Sequence, residues 1–130
     1  MSNFDTTANL VAPSAAGDFT ALGVAAAATA IRTGEMSSEH YATALLRQAR
    51  ANADLDAFIS IDETAVLSAA RDADKARTQG STPPLLGVPL GVKDSYLTQG
   101  LRTTLGIGNL HDFVPDQDAT VVQAGKAAGR

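Results

Sequence analysis

Two short stretches of alternating apolar residues constrain this chain most, because a stable sheet needs more than two strands. The first is LDAFISID at residues 55–62, and the second begins with LLGVPLGV at residues 85–92. Helical patterns precede, separate and follow them, which is typical of an α/β fold. The remaining strands have to come from elsewhere, so we predict an α/β architecture that is incomplete within these 130 residues.

Four segments carry helical patterns with start and stop signals. They are DFTALGVAAAATAIRTG (18–34), EMSSEHYATALLRQARAN (35–52), DETAVLSAARDADKARTQG (62–80) and PDQDATVVQAGKAAGR (115–130). The predicted N-caps are Asp18 or Thr20, Ser37 or Ser38, Asp62 and Asp118. On the third helix the mixed charges, Asp74 among them, are expected to be solvated. On the fourth, Val121 and Val122 are expected to face inward.

The composition indicates a shallow core. Apolar residues make up 45% of the chain, but aromatic residues are only 5% and tryptophan is absent. A domain of this length buries roughly two thirds of its unfolded surface, and alanine supplies little of the necessary volume. Residues 1–17 are small, polar and unpatterned, so we predict a flexible tail there. Residues 18–130 are predicted to form one segment that packs against something else.

Charge and residue usage argue against several function classes. The net charge is −4 with no cluster of Lys or Arg, which argues against nucleic acid as a partner. No apolar run reaches about 18 residues, so no membrane span is predicted, and the first residues do not resemble a signal peptide. Cysteine is absent, which fits a cytoplasmic protein. His40 and His111 match no metal-ligand spacing and are expected at the surface.

A single lysine ends the second strand-like stretch, in LLGVPLGVKDSY at residues 85–96. Strand alternation places Lys93 on the same face as Gly87, Pro89 and Gly91, so the lysine would lie over a surface bare of side chains. Two interpretations stay open from the residues alone. Lys93 is either a solvated charge at a strand end or a desolvated lysine whose pKa is lowered so that it acts as a base. Ser95 is expected to be a turn residue.

The run PLLGVPLGVKDSYLTQGLRTTLGIGNL resembles the N-terminal signature of the amidase signature family. The DAF triplet at 56–58 and the tail PDQDATVVQAGKAAGR agree with the same pattern, so the resemblance covers about residues 20–130. It implies an α/β/α sandwich with a mixed central sheet, of which residues 18–130 would be the N-terminal segment. Ile107 departs from the family, in which Ser or Thr is frequent at this position.

The resemblance implies a Ser–cisSer–Lys triad in which Lys93 accepts a proton from the bridging serine. Asp94 would support the lysine or hold its turn, and neither a metal nor an organic cofactor is required. The substrate would be a small non-peptide amide. Both serines lie downstream in the family, so this chain alone is predicted to be inactive and to need the remainder of an amidase polypeptide.

Three functions stay open at this point. The leading one is an amide hydrolase, with a hint of arylacetamide-type members such as indoleacetamide and mandelamide hydrolases in GLRTTLGIGNLHDFVPDQDATVV. The second is a non-catalytic N-terminal subunit or binding module, which the thin core favours. The third is a subunit of an amidotransferase, and a homodimer is left open for each.

Overall fold

The protein is helical in the part of the chain that the computed structural model describes, residues 19–129. Four α-helices span Val24–Thr33 (α1), Ser38–Ala51 (α2), Glu63–Thr78 (α3) and Thr120–Ala128 (α4). Three short 3-10 helices span Phe19–Ala21, Ala53–Leu55 and Gly108–Leu110. The predicted tail and the Asp18 cap lie outside the described residues. Within residues 19–129, no helix combines the length and apolar character needed to cross a membrane.

The predicted ends of the first three helices are mostly confirmed. Gly34 ends α1 with φ +79° and donates its N–H to the Ile31 carbonyl at 3.1 Å. Ser37 caps α2 by accepting from the His40 N–H at 3.1 Å, and Asp62 caps α3. The Thr20 cap is wrong, because Thr20 lies in the first 3-10 helix and α1 begins after Gly23.

The fourth helix begins later than predicted. Ala119 is its N-cap residue and makes no side-chain cap bond, so Asp118 is not the cap. Val122 is 2% exposed, as expected for an inward residue, whereas Val121 is 57% exposed. Adjacent helical positions lie about 100° apart around the axis, so only one of the two valines faces the core.

The core is small and rich in alanine, as the composition predicted. Its central cluster combines α1, the connection to α2 and the first turn of α2. It consists of Ala27, Ala30, Ile31, Met36 and Tyr41. Helices α2 and α3 pack against each other along their alanine-bearing faces, and α3 contributes Ala70 and Ala73. The Tyr41 hydroxyl has its pKa raised by burial.

The prediction that the charged face of α3 is wholly solvated is wrong at Asp74. Its carboxylate accepts from the Ser38 N–H at 2.8 Å and from the Glu39 N–H at 3.0 Å. Both donors belong to the first turn of α2, where backbone N–H groups have no partner inside the helix. Asp74 therefore joins α3 to the N-terminus of α2.

Neither predicted strand forms among residues 19–129. Residues 57–61 make no ladder hydrogen bonds, and Phe58 and Ile59 are 58% and 51% exposed. The second stretch starts in a turn at residues 84–87, where Gly87 has φ +72°, so strand alternation cannot begin at Leu86. A strand requires pairing with a second strand, and among residues 19–129 neither stretch has one. The predicted mixed sheet is therefore absent from this part of the chain.

Candidate functional site

Lys93 lies at the end of the irregular segment 88–93, and its side chain is exposed in the described part of the chain. Its carbonyl accepts a hydrogen bond from the Tyr96 N–H at 3.0 Å, which closes a tight turn. Ser95 lies within this turn, as predicted. The turn fixes the backbone at Lys93 and leaves its ammonium group free to reach a neighbouring group.

Asp94 anchors the next loop on the lysine turn. Its carboxylate accepts from the Thr104 N–H at 2.9 Å and from the Thr104 hydroxyl at 2.6 Å. The Leu105 N–H donates to the Asp94 carbonyl at 3.3 Å, and the Gly106 N–H donates to the Thr104 hydroxyl at 3.1 Å. The loop GLRTTLG is thereby held beside Lys93.

The electrostatics of this contact favour ionised Asp94. The hydrogen bond from the Thr104 hydroxyl lowers the pKa of the Asp94 carboxyl most, and the bond from the Thr104 backbone N–H lowers it further. Donors directed at a carboxylate stabilise its charged form. Asp94 therefore presents a fixed negative charge next to the lysine in sequence.

The bare face predicted beneath Lys93 does not form as predicted, because Gly87 lies in the turn at residues 84–87. The Ser38 hydroxyl donates to the Gly87 carbonyl at 2.6 Å, and a Cβ on Gly87 would lie 2.7 Å from the Ser38 Cβ. A Cβ on Gly91 would meet nothing within 4 Å. The close approach of another segment is thus confirmed at Gly87, whereas the surface at Gly91 is open.

Two concave surfaces meet at Lys93. The large groove, of about 640 Å³, runs between α2 and residues 89–94, with Leu45, Leu46 and Val66 among its apolar walls. The small cleft, of about 470 Å³, lies between residues 56–60 and the loop 101–106. Lys93 and Asp94 line both, so the lysine stands where the two surfaces join.

Asp118 ties the loop after the lysine to α4. Its carboxylate accepts from the Gln99 N–H at 2.8 Å and from the Lys126 ammonium at 2.7 Å. The Ala119 N–H also donates to the Leu97 carbonyl at 2.8 Å. Only 10% of the Asp118 side chain is exposed, so this charge lies inside the loop–helix contact.

Three further residues shape the site through contacts that no sequence pattern indicated: Thr104, Arg102 and Asp118. The repeated threonine in GLRTTLG belongs to the family signature, but nothing in its spacing indicates that Thr104 bonds to Asp94. Arg102 reaches across to residues 59 and 60, a contact between segments that only the folded chain brings together.

The histidines and carboxylates do not assemble into a metal-binding group in residues 19–129. His40 and His111 are exposed and lie on separate elements, as predicted. The His40 ring packs edge-on against Phe19 with 5.5 Å between ring centroids. The Nε2 atom of His111 lies 2.8 Å from the Oδ2 atom of Asp112.

The family profile described as Amidase matches residues 40–130, the part that holds the lysine turn and its loop. The chain belongs to the amidase family. The predicted family resemblance is therefore confirmed, and the lysine turn of this amidase chain lies inside the matched region.

The relatives of this amidase chain include glutamyl-tRNA(Gln) amidotransferase subunits. It is 45% identical over 98 residues to the one from Desulforapulum autotrophicum, covering 75% of the chain and 20% of that protein. It is 46% identical over 114 residues to the one from Myxococcus xanthus, covering 86% of the chain and 23% of that protein. The chain thus spans about a fifth of these relatives. Their descriptions do not support the suggested similarity to arylacetamide hydrolases.

A solved structure has a similar fold. A chain from the work described as "An unexpected vestigial protein complex reveals the evolutionary origins of an s-triazine catabolic enzyme" superposes with a TM-score of 0.78 at 27% identity. The alignment covers 83% of this chain and 24% of that one. Most of the fold of this chain therefore recurs as part of a longer chain.

Proposed function

We propose that this chain is the N-terminal segment of an enzyme that cleaves amide C–N bonds, with Lys93 as the catalytic base. The observation that carries the proposal is the lysine turn, in which Asp94 holds the GLRTTLG loop and Lys93 stays open to two concave surfaces. A catalytic base needs a fixed backbone and room for its reaction partner.

In a Ser–cisSer–Lys triad, neutral Lys93 would accept the proton of the bridging serine, which in turn would activate the nucleophilic serine. Backbone N–H groups of a glycine-rich loop would stabilise the oxyanion. Both serines and that loop would come from the remainder of the polypeptide. The 130-residue chain alone is therefore expected to be inactive.

The exposed apolar segments support packing against such a remainder. Phe58, Ile59 and Leu90 are each more than half exposed, at 58%, 51% and 56%. Apolar side chains clustered at a surface mark sites of association. We propose that further strands pair with residues 57–61 and 88–93, which would complete the mixed sheet and desolvate Lys93.

A second candidate is a component of an amidotransferase, in which ammonia released from an amide passes to another substrate. The descriptions of the relatives at 45% and 46% identity favour it. Both candidates use the same lysine chemistry and differ in what receives the nitrogen.

The test uses the full-length polypeptide that carries this segment. We expect it to release ammonia from glutamine or from a simple aliphatic amide, and we expect the 130-residue chain alone to release none. Absence of ammonia from all amides tested would contradict the proposed function. Ammonia release that rises only when glutamyl-tRNA(Gln) and partner polypeptides are added would favour the amidotransferase.

A further inference from the structure

Arg102 joins the two walls of the small cleft. Its Nη2 donates to the Ile59 carbonyl at 3.1 Å, and its Nε donates to the Ser60 hydroxyl at 3.3 Å. Ser60 lines one side of the cleft, and Leu101, next to Arg102, lines the other. Lys93 and Asp94 also line this cleft.

The backbone that carries Arg102 is fixed on its C-terminal side. Thr103 is 2% exposed and donates its N–H to the Phe113 carbonyl at 3.0 Å. Thr104 is held by the Asp94 carboxylate. The guanidinium therefore extends from a part of the loop that is fixed relative to Lys93.

The segment that receives Arg102 has little other support. Within residues 19–129, the hydrogen bonds that residues 57–61 make to the rest of the chain are the two from Arg102. Residues 57–59 are also exposed. A guanidinium presents several donors in a rigid fork, so it fixes two acceptors at once, which a lysine ammonium on a flexible stem does poorly.

We propose that Arg102 is a positioning residue that holds residues 57–60 at a fixed distance from the lysine turn. It thereby sets the width of the small cleft on the side of Lys93. The consequence for catalysis rests on the function proposed above, whereas the consequence for cleft geometry does not.

The geometric test uses the chain itself, which contains no cysteine that would compete for labels. Spin labels at Ile59→Cys and Asn109→Cys, both exposed, report the distance between the segment that receives Arg102 and the 3-10 helix that follows the loop 101–106. Pulsed electron paramagnetic resonance measures this distance. We expect Arg102→Leu to broaden and shift the distance distribution and Arg102→Lys to restore it in part. Arg47→Leu is the matched control, since it removes the same charge from an exposed position on α2, and it should leave the distribution unchanged. Identical distributions for Arg102→Leu and Arg47→Leu would overturn the proposal.

The catalytic test uses the full-length polypeptide. We expect Arg102→Leu to lower kcat about tenfold, since a misplaced wall misaligns the substrate, with KM changed much less and Arg102→Lys recovering part of the loss. An unchanged kcat would overturn the catalytic part of the proposal. Full activity in Lys93→Ala would instead contradict the proposed function and leave the distance measurement on Arg102 valid.

Discussion

Asp94 accepts two hydrogen bonds from one residue, Thr104, through the backbone N–H at 2.9 Å and the hydroxyl at 2.6 Å. Asp94 follows Lys93 directly, so this contact determines where the loop 101–106 lies relative to the lysine. The same contact lowers the pKa of the Asp94 carboxyl. We therefore expect the position of the lysine turn to depend on the ionisation of Asp94.

We expect acidification to lower the free energy of unfolding of the chain, in part through protonation of Asp94. A carboxyl whose folded-state pKa is lowered stabilises the fold fully above its unfolded pKa, about 4, and this contribution is lost as the pH falls through the lower folded-state pKa. Asp94→Asn should therefore be less stable than the parent at about pH 6, with a difference that shrinks towards about pH 3. Urea unfolding across this range measures it.

The control for this pH series is Asp116→Asn. Asp116 is also a carboxylate, but it is exposed, so its replacement should shift the urea midpoint little at any of these pH values. A stability difference for Asp94→Asn that stays constant across the series would show that ionisation of Asp94 has no part in holding the loop.

We expect Gly87→Ala to destabilise the chain by about 1–3 kcal/mol. A Cβ there would lie 2.7 Å from both the Ser38 Cβ and Oγ, and φ +72° is unfavourable for alanine. Gly100 has a similar φ, +75°, and a Cβ there would meet no atom within 4 Å. Gly100→Ala therefore measures the backbone strain without a clash, about 1 kcal/mol. Equal losses in urea unfolding for the two variants would exclude the Ser38 clash as a cause.

We expect Asp74→Ala to lower the free energy of unfolding by about 1 kcal/mol or more, because two first-turn N–H groups of α2 lose their acceptor. Those donors belong to Ser38 and Glu39. Asp72→Ala removes an exposed carboxylate from the same helix and should change stability little. Thermal unfolding followed by circular dichroism compares them, and equal melting temperatures would contradict the capping role.

The helices were predictable because their signals are local. Ser37, Asp62 and Gly34 act on backbone groups within four residues, and the buried face of α2 follows helical spacing. The contact of Asp74 with Ser38, 36 residues away, and that of Asp118 with Gln99, 19 residues away, were not predictable. These residues become neighbours only through packing.

The two predicted strands do not form among residues 19–129, for a different physical reason. Alternation in residues 57–61 and 86–92 describes side chains that suit a sheet, but a strand forms only when another backbone pairs with it. Among residues 19–129 neither stretch finds that partner. At the site, the turn at Ser95 was predictable from its residue type, and the catalytic role of Lys93 stays a prediction. The contacts of Thr104 and Arg102 depend on the folded loop.

The role of Lys93 as the base of an amide-cleaving enzyme is tested by kcat/KM of the full-length polypeptide that carries Lys93→Ala. We expect a loss of about a hundredfold or more, the scale of general base catalysis. Lys75→Ala, which removes an exposed lysine from α3, should retain the parent value. A Lys93→Ala enzyme within a few-fold of Lys75→Ala would contradict the assignment.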